Sequence, residues 1–296
     1  MPKVAEAVRV FAPEAWGEVD RFRALWPTTY RFRAHDKRVL AGVENHFHKT
    51  MTLLSMAERL LPSLDRDEAE LEERGFTPAL NARNLAAVLE AAITEVYSVV
   101  DCTAKVLHTV YGPTSKRFRD STRRLFADVD SITGSLPETI KDSIRAAGWY
   151  EELRNLRDEL THRDTGSCSR DRETGLVRYF HSSLWEGERL RPIDNVLGWI
   201  HGMVDAVNRF VGTTFHELNA TIRQGTVTQM CGMVHGRMLM RLLDASQPMD
   251  FHNGSCLSAQ WFTQPGNPRC PFADDCGAFH RPATAEQLRS VFGEST

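Results

Sequence analysis

No stretch of the 296-residue chain approaches the roughly 18 consecutive apolar residues of a membrane-spanning helix, so no membrane span is expected. Residues 1–16 carry Glu6 and Glu14 and no unbroken apolar run, which argues against a secretory leader. Glycines never gather into a phosphate-binding loop, no serine sits in a nucleophile elbow, and no His-Glu-x-x-His pair occurs. These absences exclude the common signatures of nucleotide hydrolysis, serine hydrolysis and zinc proteolysis. Internal repeats and low-complexity tracts are lacking too. Net charge is only −3, so nucleic acid could be held by local basic patches but not by the protein as a polycation.

What is present is the composition of a globular chain, 42% apolar and 25% charged, long enough for one large or two modest domains. A cytoplasmic location is expected, and there the six cysteines should be reduced thiols or metal ligands. Three of the six fall in the last 41 residues, at 256, 270 and 276.

Helical periodicity dominates. Trp16, Val19, Phe22 and Leu25 predict a short helix closed by Pro27. Leu40, Val43, Phe47, Leu54 and Leu61 predict a second, stopped by Pro62. Residues 65–74 are mostly acidic and end at Gly75, which reads as a solvated turn or linker. Thr77-Pro78 opens a long helix carrying Leu85, Val88, Leu89, Ala92, Val96, Val99 and Val100 on to Gly112-Pro113. Another capping signal, Ser135 to Glu138, starts a helix broken at Gly148. Glu173-Thr174-Gly175 before Leu176–His181 predicts a hairpin, and Pro192 precedes a last long helix through Ile222. Beyond Gly225, Met230, Val234, Met238 and Leu242 read as a further helix.

Two constellations carry chemistry. Phe118, Thr122, Leu125 and Val129 form one apolar face, and around them Lys116, Arg117, Arg119, Arg123 and Arg124 place five cations within nine residues. Such a run is either a solvated face or an RNA contact. The second lies on the helix that begins at Trp149, whose apolar stripe is Trp149, Leu153, Leu156 and Leu160. Arg157 borders that stripe, Asp158 follows it, and His162 comes after four intervening residues. At about 100° per residue, Arg157 and His162 lie roughly 140° apart on a straight helix. They converge on one target only if the helix bends or a second copy contributes. A histidine beside a fixed cation suits general acid/base work on a phosphoryl group. Cations near a helix C-terminus also serve simply to offset its terminal carbonyls.

Arg157-Asp158-Glu159-Leu160-Thr161-His162 resembles the Arg-polar-x3-His signature of HEPN domains, an all-α superfamily built on a short helical bundle. The resemblance covers roughly residues 77–222. It implies a metal-independent endoribonuclease with a site shared across a homodimer. His162 would move the proton for attack by the ribose 2′-hydroxyl, Arg157 would hold the scissile phosphate, and Asp158 would orient one of them. Other HEPN proteins are inactive modules that bind RNA or a partner, some beside a nucleotidyltransferase, and a cognate inhibitor is a further kind of partner.

At the other end, Cys270 and Cys276 followed by His280 resemble the latter half of a CCCH zinc finger, with Phe272 and Phe279 beside the ligands. The resemblance implies a structural zinc held by Cys270, Cys276, His280 and a first ligand. Cys256 is the leading choice for that ligand, although its 13-residue gap exceeds the family's usual spacing; Cys231 and His252 are the alternatives. The resulting expectation is an all-α fold: an HEPN-like bundle with a small β-hairpin insertion and a small C-terminal, zinc-stabilised module. Its divisions would be 1–75, 76–225 and 226–296. The function expected is a dimeric endoribonuclease. The alternatives are a non-catalytic HEPN module or a zinc-dependent nucleic-acid-binding regulator.

Overall fold

The computed structural model describes residues 8–10, 17–186, 189–234, 236–248 and 252–292. Helix predominates, joined by short antiparallel sheets. The chain divides into two compact units, residues 33–214 and the pairing of residues 1–32 with 215–296. The first elements in sequence, β1 (Val8–Val10) and α1 (Glu18–Leu25), belong to the discontinuous unit.

The continuous unit is the helical one. Its α2 (Ala34–Leu60) lies along α4 (Leu80–Tyr111), with α3 (Leu64–Arg74) between them in sequence. Leu40, Val43 and Leu54 of α2 and Leu85, Leu89, Ile93, Val96 and Val100 of α4 are buried, as their helical spacing requires. The acidic 65–74 segment is not a linker. It is the helix α3, closed by Gly75 at φ 75°, a left-handed cap that glycine adopts without steric cost. Its buried Asp67 accepts hydrogen bonds from the amides of Asn81 and Ala82 at 3.3 and 2.8 Å. Asp67 therefore caps α4, and Thr77 instead accepts from the Ala79 amide at 3.0 Å. The expected division at 75–76 thus falls inside a compact unit.

Next come β2 (Ser115–Lys116), α5 (Thr122–Ala127), β3 (Thr133–Gly134), α6 (Glu138–Arg145) and α7 (Tyr150–His162). The predicted hairpin is β4 (Ser167–Arg170) paired with β5 (Val177–Phe180). Asp171 tightens its loop by accepting from the amides of Glu173 and Thr174. A second small pair, β6 (Trp185–Glu186) and β7 (Arg189–Leu190), precedes α8 (Val196–Ala220). The compact units part within α8, after Thr214, rather than at 225–226.

In the discontinuous unit the predicted helix beyond Gly225 is absent. Residues 226–244 form a hairpin, β8 (Thr226–Val234) and β9 (Arg237–Asp244), followed by β10 (Ser255–Cys256). The sheet order is β1-β8-β9-β10, antiparallel throughout. Met230, Val234, Met238 and Leu242 recur at a helical step, but they fall on two paired strands and share no face: Val234 and Leu242 are buried while Met238 is 60% exposed. Two short helices, α9 (Ala259–Phe262) and α10 (Ala285–Phe292), complete the chain. In α1, Val19, Phe22 and Leu25 are buried as predicted; Trp16 lies outside the described residues. Phe22 meets Phe215 edge-on at 5.6 Å, and Arg21 donates to the Ala245 carbonyl at 2.7 Å. Among the described residues no helix is long and apolar enough to cross a membrane.

Candidate functional site

Tyr150, Leu153 and Leu156 bury one stripe of α7, which packs against α4. Arg157 stands one turn beyond Leu153 on the margin of that stripe, its side chain 27% exposed. The guanidinium carbon lies 4.7 Å from the Tyr97 ring centroid, and Nη1 donates to Asp158 at 2.9 Å. Its Nε is buried without a hydrogen-bond partner among the described residues. A guanidinium so held is a cation on a fixed aromatic shelf. Burial raises the Tyr97 phenol above its ordinary pKa, so the shelf stays neutral.

His162 is exposed and is the last residue of α7. The helix does not bend before it: Thr161 Oγ1 returns to the Arg157 carbonyl at 2.8 Å, and the amides of Arg163 and Asp164 reach Glu159 O at 2.9 and 3.3 Å. Arg157 and His162 therefore project about 140° apart within one chain. The structure brings Arg157 and Asp158 together and leaves His162 separate.

Two residues overlooked in the sequence fix the chain just after His162. His181, 3% exposed, donates from Nε2 to the Asp164 carbonyl at 3.2 Å while Nδ1 accepts from the Ser183 amide at 3.0 Å. Glu90 of α4 accepts from the Gly166 amide at 2.6 Å and from the Tyr179 hydroxyl at 2.8 Å. Both are contacts between segments distant in sequence, so no local pattern announces them.

Lys116, Arg117, Arg119, Arg123 and Arg124 are all exposed, while Phe118, Thr122, Leu125 and Val129 beneath them are buried. The five cations are spread along β2, the following loop and α5. Phe126 of α5 stacks on Tyr150 at 3.7 Å, which sets α5 beside the start of α7. His162 stands twelve residues further along that helix, about 18 Å at 1.5 Å per residue.

The cysteines of the discontinuous unit have a different arrangement. Cys231, Cys256, Cys270 and Cys276 line one small cavity of about 30 Å³, together with Arg241, Phe262 and Phe279. Among the described residues no group of three or more His, Cys, Asp and Glu stands close enough together to hold a metal ion as placed. The thiols nonetheless share this one space. Burial pushes the Cys256 thiol up to about 11, eased by the Ser258 amide donating to its sulfur. It raises Cys270 likewise, eased by the Phe272 amide, and raises Cys231, eased by Arg241. The Arg241 guanidinium, 3% exposed, donates to Cys276 Sγ at 3.5 Å. His280 is exposed, with Nε2 3.3 Å from the Asp274 carbonyl, and does not line the cavity. His252 is exposed too, and its Nδ1 accepts from the Gly277 amide at 3.1 Å.

Compared with protein-family profiles, with curated proteins and with solved structures, the chain matches none.

Proposed function

We propose that the 33–214 unit is a HEPN-like module and that the protein is a cytoplasmic endoribonuclease, metal-independent in its chemistry and active as a homodimer. The observation that carries this reading is Arg157: a guanidinium seated on Tyr97 and paired with Asp158 on the helix whose last residue is an exposed His162. In this reading His162 takes the proton from a ribose 2′-hydroxyl and Arg157 offsets the charge on the scissile phosphate. The 140° divergence of the two side chains requires that a histidine from one copy meet an arginine from the other. The basic surface at the start of α7 would hold flanking RNA phosphates.

The test is cleavage of total RNA by the purified protein in the presence of chelator, with sedimentation at micromolar concentration. Cleavage by a dimer that disappears in His162→Ala supports the reading. Cleavage unchanged in His162→Ala removes it, and a monomer removes the shared site. One observation favours a second reading, an RNA-binding module without catalysis: Tyr150, on which Phe126 of the basic element stacks, stands about 18 Å from His162 along α7. Salt-sensitive RNA binding without cleavage would select it.

A further inference from the structure

We propose that Cys231, Cys256, Cys270 and Cys276 form a four-thiolate site for a soft divalent cation, zinc, with Cys231 as the fourth ligand in place of His280. The backbone at Cys231 carries the argument. In the β8–β9 ladder Met230 pairs with Met240 and Gly232 with Leu239, so Cys231 is an extra residue opposite no partner. A bulge of this kind gives up regular pairing and re-aims a side chain. Here the bulged side chain is a thiol, and it lines the same cavity as the next residue, Gly232, and Gly232's partner Leu239.

The other three ligands come to that cavity by separate routes. Cys256 lies on β10 directly opposite Arg241 of β9, so β9 is flanked by a thiol-bearing strand on each side. Cys270 and Cys276 belong to one turn, in which the Ala273 amide bonds to the Cys270 carbonyl and the Cys276 amide to the Phe272 carbonyl, at 3.1 and 2.8 Å. This division of the ligands explains the long sequence gaps, since a sheet can gather thiols that no short loop could.

Hydrogen-bond donors face the sulfurs. Cys256 and Cys270 each accept an amide hydrogen bond at sulfur, and a buried guanidinium donates to Cys276. Donors aimed at sulfur are the usual outer support of metal ligands. Four thiolates around a divalent cation carry a net charge of −2, which Arg241 partly offsets. Binding exchanges four S–H bonds for four S–metal bonds and releases four protons to water, with no change of oxidation state. The need for a staple is plain from the packing: the core beside the cavity is small, with Val234, Leu239 and Phe262 as its buried members.

The site does not rest on the ribonuclease reading, and its test involves no RNA. The full chain, purified without chelator, is assayed for bound metal; metal-free protein is then titrated with cobalt(II), whose sulfur-to-metal absorption counts thiolates. One equivalent of zinc and a four-thiolate cobalt spectrum are expected. Cys231→Ser should weaken zinc binding by about 100-fold or more, beyond what losing an outer-shell contact costs, whereas His280→Ala should leave it unchanged. Well under one equivalent with no cobalt absorption overturns the proposal. So does a three-thiolate spectrum of the parent protein, which remains decisive even if Cys231→Ser fails to fold. Loss of metal in His280→Ala, with retention in Cys231→Ser, overturns it as well.

Discussion

The Arg157 guanidinium lies over the Tyr97 ring, 4.7 Å from its centroid. The pair joins α7 to α4 and determines where the cation stands. Tyr97 is only 8% exposed, so its ring serves as packing and as shelf together. Substitution can separate the ring from its hydroxyl. Tyr97→Phe keeps the shelf and should hold stability within about 1 kcal/mol and RNA cleavage near the parent rate. Tyr97→Leu removes the shelf, and should cost on the order of 1–3 kcal/mol in urea denaturation and suppress cleavage beyond that loss of fold. Equal cleavage by the two variants at matched folded fraction would mean the shelf does not position Arg157.

Glu90 holds the chain that leaves His162. Removing its carboxylate orphans the Gly166 amide and the hydroxyl of the fully buried Tyr179. An unsatisfied buried donor costs about 1–3 kcal/mol, so Glu90→Ala should destabilise the protein by that order. Glu90→Gln retains an acceptor oxygen and should cost less. Hydrogen exchange at the Gly166 amide checks the mechanism: protection should fall in the alanine variant and persist in the glutamine one. Unchanged protection in Glu90→Ala would show that the hairpin is held without it.

A pH effect should arise at Glu95, 8% exposed on α4. Its carboxylate accepts from Lys49 Nζ at 2.6 Å and from His46 Nδ1 at 2.5 Å. Burial alone would raise its pKa, but the hydrogen bonds and charges of Lys49 and His46 outweigh burial and leave it below the ordinary 4.5. A carboxyl depressed in the folded state stabilises the fold fully above its unfolded value, and that contribution is lost as pH falls through the folded one. The urea midpoint of the parent protein should therefore drop more steeply than that of Glu95→Gln on acidification below about pH 4.5. Parallel curves over that range would remove Glu95 from the account of acid sensitivity.

The helical unit was legible because its signal is periodic. Leu85 to Val100 on α4 and Leu153 and Leu156 on α7 point inward where a 3.6-residue repeat places them, although on α7 Tyr150 is buried while the expected Trp149 and Leu160 are only half-buried. Phe118, Thr122, Leu125 and Val129 are likewise buried beneath the basic run. The sheet was not legible, because Met230, Val234, Met238 and Leu242 read as one helical stripe yet belong to two strands paired by a hairpin. Nor was the pairing of β1 with β8, which joins residues more than 200 apart in sequence. Cys231 was only one alternative ligand in the sequence, since a bulge is a property of the ladder between two strands and not of either strand alone. His181 and Glu90 escaped for the same reason: each acts on a segment distant in sequence.

The sheet that carries the thiols should be most sensitive at Gly254, two residues before Cys256. Its φ is +81°, a conformation that costs a residue with a Cβ roughly 1–2 kcal/mol. Space is the greater obstacle, because a Cβ there would sit 1.9 Å from the Leu242 carbonyl oxygen and 2.9 Å from its carbon. These are backbone atoms of β9, so no side-chain rotation relieves the overlap; β9 and β10 must part. Gly266 is the internal control: its φ is +86°, and nothing stands within 4 Å of its added Cβ. Gly266→Ala should cost only the conformational penalty of about 1–2 kcal/mol. Gly254→Ala should cost more than about 3 kcal/mol, strain and steric overlap together. Hydrogen exchange locates the damage: the Leu257 amide, bonded to the Met240 carbonyl at 3.0 Å, should lose protection in Gly254→Ala and keep it in Gly266→Ala. If the two alanine variants prove equally stable, β9 and β10 do not pack as closely as this register requires.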